Sequence, residues 1–116
     1  MSFVNENEIT AAEKDAATST GKYTHTFATP FEHEGKTYKE IVFDFEKLTG
    51  MDFLAIEAEM QAMGKPLIAP EFSGDFLVRM AARASGVASD VLTAVPLADF
   101  KKIHNQSRSF LLKQGL

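Results

Sequence analysis

The chain has 116 residues, 45% of them hydrophobic and 24% charged, with a net charge of −4 and no cysteine. That length supports one domain with a modest core, and the composition is that of a globular chain and not of a disordered one. Without cysteine there are no disulfides, no thiolate catalysis and no cysteine-based zinc site, and the acidic balance argues against nucleic acid as a partner.

Residues 1–21 are rich in Ala, Thr, Ser, Asn and Glu, with Phe3, Val4 and Ile9 as their large apolar residues. They read as a flexible arm ahead of a domain spanning 22–116, and a helix over Glu8–Ala17, allowed by propensity, has no apolar stripe to hold it. The opening MSFVNENEIT lacks the basic and apolar regions of a secretory signal, and no apolar run approaches the ~20 residues that span a bilayer. The expectation is a cytosolic protein that does not engage membrane.

From Lys22 the pattern alternates: Tyr23, His25 and Phe27 share one face, and Pro30 interrupts the strand. Gly35 marks the turn of a β-hairpin over about 23–45. In its return strand, Thr37–Phe45, residues Ile41, Phe43 and Phe45 point one way and Tyr38, Glu40, Val42 and Asp44 the other.

Thr49 and Asp52 have capping-box spacing, and Leu48 with Phe53 completes a hydrophobic staple, which predicts a helix over about 50–63 ended by Gly64 and Pro66. Its inner stripe is Phe53, Ile56, Met60 and Met63, opposite Glu57, Glu59 and Gln61. A second helix is expected over about 72–85, closed by Gly86, with Phe72, Phe76, Leu77, Met80 and Ala84 turned inward. The small Ala81, Ala82 and Ala84 allow a neighbouring helix to approach closely. A short helix over 89–95 follows, capped by Ser89, and Pro96 opens the last one, 97–113, ended by Gly115. Phe100, Ile103, Ser107, Phe110 and Leu111 lie along one flank of that helix. The fold class is therefore α+β, an N-terminal β-hairpin followed by three to four packed helices.

The charge divides along the chain. Residues 1–75 carry 14 acids and 6 bases, net −8, whereas residues 76–116 carry 2 acids and 6 bases, net +4. No acid follows Asp99, while Lys101, Lys102, Arg108 and Lys113 do. Such an end suits an acidic partner or the negative pole of a helix dipole.

No motif of catalysis or cofactor binding survives inspection. Gly35-Lys36-Thr37 imitates the end of a phosphate loop, but Pro30 stands where the first glycine belongs, and the stretch joins two strands. His25, His33 and His104 have no metal-ligand spacing and read as solvated surface histidines. There is no GxSxG elbow, and Glu57 and Glu59 diverge by about 200° on a helix. No cofactor, metal or enzymatic activity is expected. Met80–Leu92 has helix-turn-helix spacing, yet its second helix offers only Ser89, Asp90 and Thr93 to a base edge. A DNA-binding regulator is thus the lesser reading.

Several elements taken together resemble a known family. They are Pro30-Phe31, Gly35-Lys36, Tyr38 and Ile41; Phe45-Glu46-Lys47-Leu48-Thr49-Gly50 with Asp52; Pro70-Glu71; Ala82-Arg83-Ala84 with Gly86-Val87; and Leu92, Pro96 and Asp99-Phe100. In that order and spacing, over about residues 27–112, the chain resembles the small tail assembly chaperones of contractile-tailed bacteriophages and prophages. The resemblance implies a non-catalytic protein of the host bacterial cytoplasm that binds the tape measure protein, keeps it soluble and helps recruit tail tube subunits. It also implies absence from the mature virion. A structural tail or head completion protein is a further alternative, and self-association is compatible with either.

The expected partner site combines Ile103, Phe110 and Leu111 as an apolar edge of the last helix, Lys101, Lys102 and Arg108 as a basic rim, and the exposed side of the hairpin. A helical client would place an apolar stripe in such a groove and acidic flanks on the rim. The competing reading makes all three apolar residues internal core.

Overall fold

Glu34 and Gly35 both take positive φ, 50° and 79°. Two successive left-handed residues make the tight turn whose twist matches an antiparallel hairpin, so the chain reverses there. In the computed structural model, which describes residues 21–65 and 67–114, this turn joins β1 (Lys22–His33) to β2 (Lys36–Asp44). Four helices follow: α1 (Gly50–Ala62), α2 (Gly74–Ser85), α3 (Ser89–Leu92) and α4 (Leu97–Leu112). The fold is thus mixed α+β, with the helices after the hairpin.

The arm expected over 1–21, with its helix over Glu8–Ala17, lies outside the described residues except for Gly21. That residue belongs to the domain. It is buried, its carbonyl accepts the Phe45 N–H at 2.8 Å, and at φ 91° it needs glycine, because a Cβ would collide with the Glu46 side chain.

Pro30 does not interrupt the strand as expected. β1 continues through it as a wide bulge: Thr26 pairs with Glu40 and Phe31 with Tyr38, leaving residues 27–30 opposite Lys39 alone. A proline with no N–H to donate is tolerated where the ladder is already broken. The face opposite Ile41, Phe43 and Phe45 is only partly exposed. Tyr38 is half-buried, its ring 6.1 Å from that of its cross-strand partner Phe31, whereas Val42 is exposed as expected.

The inner face carries His25, Phe27, Ile41 and Phe43, all buried, and Phe45 continues it into a 3-10 turn. Rings follow one another along it, Tyr23 to Phe43 at 6.0 Å, Phe43 to Phe45 at 6.0 Å and Phe45 to Phe110 of α4 at 5.5 Å. α2 lies against this face and is the central helix, with Phe76, Leu77, Val78, Met80, Ala81 and Ala84 buried and contacts to β2, α1 and α4.

Local rules fix the helix ends. The Asp52 carboxylate accepts the Thr49 N–H at 2.8 Å and the Thr49 hydroxyl at 3.2 Å, closing the capping box. Ser73 Oγ accepts the Phe76 N–H at 3.1 Å, and Gly86, at φ 76°, returns its N–H to Ala82 O at 2.8 Å.

Four helical details differ from expectation. Because Ser73 is the cap, α2 starts at Gly74 and Phe72 precedes it in a 3-10 turn (Pro70–Phe72), where it is exposed. Met63 is the C-cap of α1 and also exposed, since the inner stripe ends with Met60. α3 stops at Leu92 instead of residue 95, and its cap is Ala88, not Ser89. α4 ends at Leu112; Pro66 and Gly115, read as breakers, lie outside the described residues.

Phe43 is fully buried among rings, so Phe43→Ala is expected to cost about 3–5 kcal/mol in urea unfolding. Ser107, also fully buried, finds no hydrogen-bond partner for Oγ among the described residues. Ser107→Ala should therefore leave stability unchanged or raise it by up to about 1 kcal/mol.

Candidate protein-binding surface

Residues along α4 advance by about 100° each, so the helix can offer a partner only the face that its packing leaves outside. Ile103 and Ser107 are buried, and Phe110 and Leu111 are half-buried. Of the expected apolar edge, Ile103 is therefore core, at 1% exposure, and is withdrawn from any partner. Phe110 and Leu111 line a cleft of about 270 Å³ together with Leu48, Phe53, Ile56 and Met80.

The expected basic rim divides. Lys101, Asn105, Arg108 and Leu112 follow one another on the outer stripe, whereas Lys102 is turned about 100° from Lys101. Lys101 and Lys102 are exposed; Arg108 is half-buried and held in place, its Nε donating to Glu71 O at 3.2 Å and its guanidinium lying 6.0 Å from the centre of the Phe72 ring. None of the ion pairs among the described residues involves Lys101, Lys102, Arg108 or Lys113. Among the described residues, these bases therefore meet no carboxylate.

Sequence periodicity missed the apolar part of this surface. Phe72 is 76% exposed, and Ile68, four residues upstream in the same connection, is 94% exposed. The 70–72 turn packs against α4 and brings Phe72 to the basic stripe. The signal available in the sequence was Ser73: a serine three residues before Phe76 is a cap, which places Phe72 outside the helical period.

The imidazole of His104 lies at the border of this stripe, stacked 5.8 Å from Phe100. Burial holds its pKa below the usual value, and the positive charges of Arg108 and Lys101 push the same way.

His25 is a correction of another kind. Expected at the surface, it is 2% exposed, with the Tyr23 hydroxyl at 2.8 Å from Nδ1 and Asp99 Oδ1 at 2.7 Å from Nε2. A tautomer protonated at Nε2 donates to Asp99 and accepts from Tyr23, so both ring nitrogens are satisfied. The bond joins β1 to the first turn of α4 and sets which way α4 faces. His33 is half-buried beside Phe31 at the hairpin tip, and its Nε2 is 3.8 Å from Glu34.

On the opposite side, Arg83 bonds Asp52 at 2.8 Å and lies 3.6 Å from Glu59, and Arg79 reaches Glu59 at 3.3 Å. These arginines lace α2 to α1 and carry no spare charge. The Thr49 N–H foremost, with Arg83, holds the Asp52 carboxyl below its ordinary range. Among the described residues there is no cluster of three side chains able to hold a metal, and no helix is long and apolar enough to cross a membrane. α3, a single turn of four residues, is shorter than the recognition helix of the helix-turn-helix reading.

The chain matches no protein-family model, no curated protein and no solved structure.

Two outcomes are expected of the histidines. His104 binds a proton less readily folded than unfolded, so stability should fall as pH drops below about 6.5, the unfolded value. His104→Gln should flatten that slope between about pH 7 and pH 5 in thermal melts. A double-mutant cycle of His25→Gln and Asp99→Asn should return a coupling of about 1–3 kcal/mol, whereas independent effects would mean the 2.7 Å bond contributes nothing.

Proposed function

We propose that this chain is a tail assembly chaperone of a contractile-tailed phage or prophage. It acts by binding protein and not by catalysis: it holds the tape measure protein soluble in the host cytoplasm and helps bring tube subunits to it. The observation that supports the reading best is exposed Phe72 lying beside Arg108 of a helix whose one acid, Asp99, is bonded to His25 and whose bases Lys101, Lys102 and Arg108 form no ion pair among the described residues. Large apolar side chains left in water beside uncompensated charge suit a surface that another macromolecule covers. The order of the sequence elements from Pro30 to Phe100 supplies the family.

Transient handling of a client also agrees with the size of the patch. A few apolar side chains with a charged border give fast, salt-sensitive association and ready release, as assembly requires. On this reading the chaperone leaves before the particle is complete and is absent from the mature virion.

Co-expression tests it. The tape measure protein should be recovered mainly in the soluble fraction with this chain and mainly in aggregates without it, and the two should co-purify at low salt. Equal insolubility with and without the chain would contradict the reading.

A further inference from the structure

On the basis of that reading, we infer that the surface formed by Phe72 and the outer stripe of α4 takes an acidic amphipathic helix lying along α4. The sign of the partner follows from charge. Lys101 and Arg108 have no carboxylate partner among the described residues, and no acid occurs after Asp99.

The helical form of the partner follows from spacing. Lys101 and Arg108 are seven residues apart on one stripe, about 10 Å along the axis. A helix laid beside α4 presents acids at i and i+7 with the same interval, and its i+3 and i+4 positions fall between them. Exposed Phe72 lies beside Arg108, and half-buried Leu112 is the next residue of the stripe beyond it, so the apolar contacts gather at the Arg108 end. Arg108 is already oriented by Glu71 O and by the Phe72 ring, so little side-chain freedom is lost when it pairs.

Nucleic acid is the other polymer that positive charge and an exposed aromatic ring can attract. The aliphatic Leu112 on the same stripe favours a protein, because it gives a base nothing to stack on, and the rest of the chain is acidic.

The test uses the full chain and a pair of synthetic 21-residue helical peptides, about six turns long. Both carry leucine at one stripe, with glutamate at the flanking i and i+7 positions in one and lysine there in its twin. Fluorescence anisotropy should show the acidic peptide binding at least about tenfold more tightly than the basic one, with affinity falling as salt rises. Phe72→Ser and Lys101→Glu should each weaken it about tenfold or more, while Lys102→Glu, turned away on the same helix, should change it less than about twofold. Equal binding of the twins, or equal loss from Lys101→Glu and Lys102→Glu, would overturn the inference. So would single-stranded DNA competing as well as the acidic peptide, or an oligomer of the chain that Phe72→Ser dissolves, which would make a second copy the occupant. Neutralising Glu6, Glu8, Glu13 and Asp15 should leave peptide affinity unchanged; a rise of about tenfold or more would make the chain's own N-terminal residues the occupant instead. If the tape measure protein co-purifies undiminished with Phe72→Ser and Lys101→Glu, this inference fails and the chaperone reading stands. If the acidic peptide binds as described and that protein does not co-purify, the reverse holds.

Discussion

A two-stranded sheet cannot bury enough to stand by itself, and everything else in this molecule answers to that constraint. Its inner face carries Phe27, Ile41 and Phe43, continued by Phe45, and α2 covers that row with Phe76, Leu77 and Met80. α4 closes the remaining edge, with Phe110 stacked on Phe45 and Asp99 bonded to His25. Once those two contacts are made, the inner face of α4 is committed. What the helix has left to offer is its outer side, where the stripe through Lys101, Asn105, Arg108 and Leu112 runs beside Phe72, and the surface chemistry follows from the core.

The connection before α2 supplies the apolar half of the same surface. Ser73 caps α2 and so excludes Phe72 from its first turn, and Pro70 begins a tight 3-10 turn that sends the ring outward. Arg108 then holds this turn from α4 through the Glu71 carbonyl. A ring that hydrophobic periodicity assigns to the core is thereby placed beside uncompensated cations. The arginines of α2, by contrast, are spent on Asp52 and Glu59 within the fold, so the side on which α2 meets α1 presents paired charge.

Features governed by neighbouring residues were legible in the sequence: the Gly35 turn, the Thr49–Asp52 box, the Gly86 cap and the start of α4 after Pro96. Features that depend on a partner far along the chain were not. Pro30 reads as a break until β2 is seen to pair on both sides of it, and His25 reads as a surface residue until Asp99, 74 positions away, meets it. Ile103 and Phe72 exchange roles for the same reason. A helical period shows which residues share a face, and only the packed neighbour decides whether that face is covered. The candidate surface was thus half legible, its basic residues from composition and its apolar ones only from the fold.

Hydroxyl-radical footprinting of the chain alone and with its client measures side-chain cover directly, and internal controls are present in Met51 and Leu54, exposed on α1. The account predicts that oxidation of Phe72 and Ile68 falls in the complex while that of Met51 and Leu54 is unchanged. Protection of Met51 and Leu54 with Phe72 and Ile68 still fully reactive would contradict it.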